Sequence, residues 1–129
     1  MTVTVRKAAD GKLKQQVQYN QHQWFSDVAV ELGGDDAGPD PHALLGAALG
    51  SCTALTLHMY AKRKNWPLED VQVQMDEQSA DGTATLVRRI SLVGALDTSQ
   101  REQLLAIANK CPIHKILSGK IVIDTALTE

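Results

Sequence analysis

Two side chains here could carry nucleophilic or redox chemistry: Cys52 and Cys111, the only cysteines in the chain. A thiolate is a strong nucleophile, and two thiols can store an electron pair as a disulfide. The pair stands 59 positions apart, so this is no Cys-x-x-Cys motif, and only folding could bring them together. A disulfide needs Cα atoms about 4.4–6.8 Å apart, a distance that spacing does not report. Composition and spacing alone favour the opposite account, since free cysteine is among the most buried residue types and behaves as a small hydrophobe. Four histidines complete the set: His22, His42, His58 and His114. His114 follows Cys111 by three, and Cys-x-x-His is compatible with zinc ligation. Zinc sites usually pair two close-spaced dyads, however, and one is present, so no metal is expected. His58 reads as a surface or interface residue and His114 as a polar helix-end residue. His42, in the first turn of a helix, is the better candidate for a site role.

Hairpin-forming segments should surround these residues. Thr2 to Lys7 and Leu13 to Tyr19 read as strands about an Asp10-Gly11 turn, and His22 to Val30 as a third after Asn20-Gln21. The loop from Leu32 to Pro39 is rich in Gly and Asp and then turns into a helix. Asp40-Pro41 starts it with a capping side chain and a proline at the first helical position. It should run to about Lys64 and stop near Asn65, because Pro67 cannot continue it. At 1.5 Å per residue it is roughly 35 Å long. Being apolar on most sides, it should lie at the centre of the fold. Val71 to Met75 alternates strictly, and Asp81-Gly82 turns it into a strand from Thr83 to Val93. A second helix begins between Asp97 and Ser99, where Ser99 and Glu102 could form a capping box, and ends at Pro112. Ile121 to Ile123 reads as a closing strand. The helical spacing sets Cys52 on a face with Leu45, Ala48, Leu49, Leu55, Thr56 and Met59. Cys111, at the end of the second helix, shares a face with Leu104 and Ala108. Each thiol is thus expected on a buried stripe, and neither at a helix N-terminus. The order is βββ-α-ββ-α-β, an α+β fold. So apolar a helix is hard to cover with one short chain, which predicts a homodimer.

The 129 residues are expected to form one domain, 1–129. With 43% hydrophobic and 22% charged residues the composition is globular, and a net charge of −2 with scattered basic residues argues against nucleic-acid binding. No apolar run is expected to approach the ~18–20 residues of a membrane span. The alternating start, Thr2 to Arg6, lacks a leader pattern, so the cytoplasm is the expected location; cysteines there stay reduced.

Three blocks carry a resemblance to a known family. The segment from Gly38 to Ala54, with Cys52 near its end, is similar to the first-cysteine signature of the osmotically-inducible-protein-C/organic-hydroperoxide-resistance (OsmC/Ohr) superfamily. Met59 to Leu68 continues the similarity, and Ala108 to His114 resembles the second-cysteine motif of its Cys-Pro-x-His branch. The resemblance implies an intertwined homodimer and a thiol-dependent peroxidase that reduces organic hydroperoxides in oxidative stress defence. It makes Cys52 the nucleophile that becomes a sulfenic acid and Cys111 the thiol that condenses with it. It also implies no bound cofactor, and a dithiol reductant, lipoylated or thioredoxin-like. Where the hydroperoxide-resistance branch carries a Glu, ten residues before the first cysteine, this chain has His42. For that branch's N-terminal arginine Arg6 is a candidate, with Lys12 and Lys14 in the same region. His42, His114 and Arg6 are therefore the supporting candidates. The alternative is a noncatalytic module of the same fold that binds a hydrophobic small molecule, with inert core cysteines.

Overall fold

Turn residues divide the start of the chain into a three-stranded antiparallel meander, β1 (Thr4–Lys7), β2 (Gln15–Tyr19) and β3 (His22–Ser26). Gly11 and Asn20 adopt positive φ at its two turns, as the turn chemistry requires. The computed structural model describes residues 1–128. They divide into two compact units, Met1–Gly46 and the chain from Ala47 onward. In the first unit Val17 and Ala8 are buried, and β3 stops at Ser26, short of the expected Val30. The chain turns there because the buried Asp27 carboxylate gathers three backbone N–H groups: Val28 at 2.8 Å, Ala37 at 3.1 Å and Asp35 at 3.2 Å. The bond from Val28 leads in holding this carboxyl below its ordinary pKa, against burial, which pushes it up.

The long helix α1 (Pro41–Lys64) begins where Asp40 Oδ1 accepts the N–H of Ala43, with Pro41 following the cap. Its end is a Schellman turn: Asn65 adopts φ 57°, Trp66 N–H bonds Ala61 O at 2.9 Å, and Asn65 N–H bonds Lys62 O at 3.2 Å. The side chains of Tyr60 and Trp66 close the turn edge to face at 5.5 Å.

In the second unit β4 (Leu68–Ala80) and β5 (Thr83–Gly94) form a long antiparallel hairpin. Asp81 and Gly82 both adopt positive φ at its tip, the requirement of a two-residue turn of this hand. α1 lies against this ribbon along the stripe Leu49, Gly50, Thr53, Leu57 and Ala61. Gly50 packs against Met75 and Val73 of β4, where an added Cβ would make ordinary contact with Met75 Cγ at 3.4 Å. Leu57, Ala61, Val71, Leu96, Leu104 and Ala108 form the core, the last two supplied by α2 (Thr98–Ala108). Asp97 caps α2 and Gln100 completes the capping box, so the pair sits two residues before the expected Ser99 and Glu102.

Mixed α+β architecture is as the sequence predicts, with three corrections. Proline 112 does not end the last helix: after α2 stops at Ala108 it opens a third, α3 (Pro112–Ser118), because a proline at the first helical position sacrifices no hydrogen bond. Ile121 to Ile123 form no strand and are exposed, since a strand exists only by pairing and no sheet edge of this chain receives them. In the chain by itself α1 buries one stripe rather than its whole circumference; Leu45, Leu55 and Met59 are exposed. Among the described residues α1 is also the one helix long and apolar enough to cross a membrane, at 24 residues and mean hydropathy 1.3. This corrects the expectation that no apolar run approaches that length, because the Gly, Ala, Ser and Thr of α1 interrupt its apolar residues while barely lowering the mean.

Leu57 is fully enclosed between α1, the hairpin and α2. Leu57→Ala is expected to lower the unfolding free energy in urea by about 2–5 kcal/mol, the span for a buried leucine whose cavity does not refill.

Candidate functional site

Folding brings the two cysteines together. Cys52 lies mid-way along α1, half-buried, beside the central stripe position Thr53. This corrects the expected face: the buried row runs through Thr53, one residue on, and leaves Cys52 at its margin. Cys111 is fully buried, and as the N-cap of α3 its sulfur accepts the backbone N–H of His114 at 3.4 Å. It therefore does stand at a helix start, contrary to the sequence expectation, because Pro112 begins a helix instead of ending one. The Cys52 thiol is among the groups that hold the Cys111 pKa down, which makes the two side chains neighbours, and both cysteines are free. Thr53 Oγ1 lies 3.9 Å from the Cys111 sulfur.

A cation completes the group. On β5 the inward row reads Leu86, Arg88, Ile90, Leu92, and Arg88 pairs across the ribbon with Met75. Its guanidinium cannot be left unpartnered under α1. Nη1 donates to Thr53 Oγ1 at 2.9 Å, and Nη2 reaches Asn109 Oδ1 and His114 Nδ1, each at 3.0 Å. Guanidinium nitrogens only donate, so His114 accepts as the tautomer that carries its proton on Nε2. Thr53 itself donates to Leu49 O at 2.7 Å. Burial pushes the Cys111 thiol up. The His114 N–H, the Cys52 thiol, the Thr53 hydroxyl and the Arg88 charge together outweigh it, and the thiol titrates below its ordinary value. Beside this group an open cleft of about 440 Å³ is lined by Leu86, Ile90, Leu105 and Leu117, with Arg88, Asn109 and His114 as its polar floor.

Of the sequence candidates, Cys52, Cys111 and His114 share this site. Arg6 belongs to the first unit, exposed on β1 beside Thr4, Gln16 and Gln18 on a shallow groove. His42 is exposed in the first turn of α1, also within the first unit. Arg88, Thr53 and Asn109 are site residues that the sequence reading passed over. The legible signal was an arginine in phase with Leu86, Ile90 and Leu92, which a count of basic clusters cannot distinguish from its exposed neighbour Arg89. Among the described residues no three His, Cys, Asp or Glu side chains are gathered as metal ligands.

Removing the Arg88 charge should weaken the thiolate. In a Cys52→Ser background, Arg88→Met is expected to move the Cys111 thiolate absorbance at 240 nm to higher pH, and Arg88→Lys to restore much of the difference. An unchanged titration would mean that Arg88 does not act on this sulfur.

The family model for OsmC-like proteins matches residues 33–126. Among solved structures, an OsmC-like protein from Mycoplasma pneumoniae superposes with a TM-score of 0.75 at 17% identity, covering 92% of this chain and 86% of that one. An organic hydroperoxide resistance protein OsmC from Legionella pneumophila gives 0.66 at 19% identity, with 92% and 90% covered. The organic hydroperoxide resistance protein OhrB of Bacillus subtilis gives 0.58 at 20%, again with 92% and 90% covered. No curated protein sequence matches the chain. At such identities the structural likeness speaks for the fold. The family match takes in both cysteines and most of the length, and with it the chain belongs to the OsmC-like protein family.

Proposed function

We propose that the protein is a thiol-dependent peroxidase that reduces organic hydroperoxides, with Cys52 and Cys111 as its redox pair and a role in oxidative stress defence. One observation carries the reading: a partly accessible thiol neighbours a fully buried one whose sulfur faces the His114 N–H and the Thr53 hydroxyl that Arg88 holds. The names of two structural relatives, both organic hydroperoxide resistance proteins, point the same way. Cys52 is the sulfur an oxidant can reach. Its proton leaves to solvent. The Cys52 thiolate then attacks the distal peroxide oxygen, the O–O bond breaks, and the alkoxide leaves and takes up a proton as the alcohol. The Cys111 sulfur next attacks the Cys52 sulfenic acid and forms the S–S bond. Its proton and the departing hydroxide leave as water. An external dithiol, lipoylated or thioredoxin-like, takes the disulfide back, so no bound cofactor is needed; a reducing cytoplasm suits the cycle.

Pairing with a second copy belongs to the same proposal. Leu55 and Met59 on α1, and Val122 and Ile123 in the C-terminal segment, are exposed in one chain, and an intertwined homodimer would cover them. Sedimentation equilibrium should give twice the mass of one chain. Leu55→Asp should shift it toward the monomer, and a monomeric parent protein would remove this part of the proposal.

The enzymatic test is a thiol count. A stoichiometric alkyl hydroperoxide should consume both free thiols, and Cys52→Ser should abolish the loss. In Cys111→Ser the unprotected Cys52 should pass to sulfinic acid under excess peroxide, visible as a mass gain of two oxygens. The competing reading, a hydrophobic-ligand module using the cleft of about 440 Å³, requires an unchanged thiol count together with binding of a lipophilic probe.

A further inference from the structure

The surroundings of the two sulfurs differ in a way that bears on reduction rather than oxidation. Cys111 has no exposed surface, whereas Cys52 retains some. The groups able to stabilise negative charge are also gathered on one side. The His114 N–H points at the Cys111 sulfur from 3.4 Å, and the Thr53 hydroxyl lies 3.9 Å from it. Arg88 holds Thr53 at 2.9 Å and His114 at 3.0 Å. Thr53 has one hydroxyl proton and two acceptors within reach, the Leu49 carbonyl at 2.7 Å and this sulfur. When charge develops on Cys111, that proton can turn from the carbonyl to the thiolate while Arg88 keeps its own bond to the oxygen. Disulfide exchange is faster when the departing sulfur is the better stabilised thiolate, and it begins at the sulfur an incoming thiol can touch.

We propose that the Cys52–Cys111 disulfide is reopened from one side only, an external dithiol attacking the Cys52 sulfur and Cys111 departing as the thiolate. This rests on the reading that the pair cycles between dithiol and disulfide. One reductant thiolate forms a bond to Cys52, the S–S bond breaks, and its electron pair goes to Cys111. The second reductant thiolate then attacks the reductant sulfur of the mixed disulfide. Reductant leaves as its own disulfide, and Cys52 is released with the electron pair and takes a proton. Arg88 touches neither reacting sulfur through its own bonds; it is a positioning residue that acts through Thr53 and His114. Cys111 is then the leaving group of the reductive half, a role independent of which sulfur meets the peroxide.

The test uses the full-length protein oxidised with diamide, so that the disulfide forms whether or not a hydroperoxide can make it. The oxidised protein is mixed briefly with 2-mercaptoethanol and quenched with acid. Free thiols are capped with N-ethylmaleimide, and the adducts are located by peptide mass spectrometry. Mercaptoethanol should sit on Cys52, with the maleimide on Cys111, in about tenfold excess over the reverse pattern. Arg88→Met should slow reduction by dithiothreitol about three- to tenfold, and Arg88→Lys should recover most of the rate, which a loss of packing alone would not allow. Adducts on Cys111, or divided evenly, would overturn the one-sided route and leave the redox pair intact. Failure of diamide to close any disulfide would overturn both.

Discussion

A guanidinium set in an apolar row constrains this site more than any other group. Arg88 occupies a position on β5 where its neighbours in phase are Leu86, Ile90 and Leu92, and it lies under a helix whose contact stripe is otherwise small or apolar. A half-buried cation must satisfy its donors or destabilise the fold. Its partners come from three different elements: Thr53 from α1, Asn109 from the end of α2 and His114 from α3. Those bonds fix where α2 and α3 meet α1, and Cys111 lies in the corner they enclose. The same constraint that orients the helices thus places a positive charge beside a buried sulfur.

Backbone punctuation does the rest of the positioning. α2 stops at Ala108, and Cys111 can face α1 because Pro112 starts a new helix that leaves the cysteine as its cap. The capping geometry turns an N–H toward sulfur, where a serine or aspartate would ordinarily accept it. On α1, glycine at position 50 packs against Met75 and Val73 of β4. Thr53 follows on the same stripe and sits over Arg88, which donates to its hydroxyl. Tight packing and the polar cluster therefore share one face of the helix.

The long helix has an unusual division of labour within a single chain. The stripe Leu49, Gly50, Thr53, Leu57 and Ala61 supplies the contact with the hairpin, while Leu55 and Met59 remain in water. A second copy covering that outer face would account for a helix apolar on most of its sides in a chain of this size. Cys52, at the boundary between the two faces, would then lie next to whatever covers the outer one. Access to the reacting sulfur and assembly of the dimer are coupled in this proposal.

Much of the fold was legible in local chemistry. Asp10-Gly11, Asn20-Gln21 and Asp81-Gly82 mark hairpin turns because few other residues accept their φ angles, and Asp40-Pro41 marks the start of α1 for the same kind of local reason. The two cysteine motifs were likewise readable, as was the likeness they bear to one family. What the sequence could not decide is whatever depends on phase and partners. One position of rotation separates Cys52 from the buried stripe, and helical spacing with apolar residues on most sides cannot resolve it. Pro112 serves equally as an end or a beginning, and only the packing of α3 selects between them. Ile121 to Ile123 have strand chemistry without an edge to join. Arg88 is indistinguishable in sequence from its exposed neighbour Arg89 until the hairpin register turns it inward, because a charge reveals its purpose only through the groups that surround it in space.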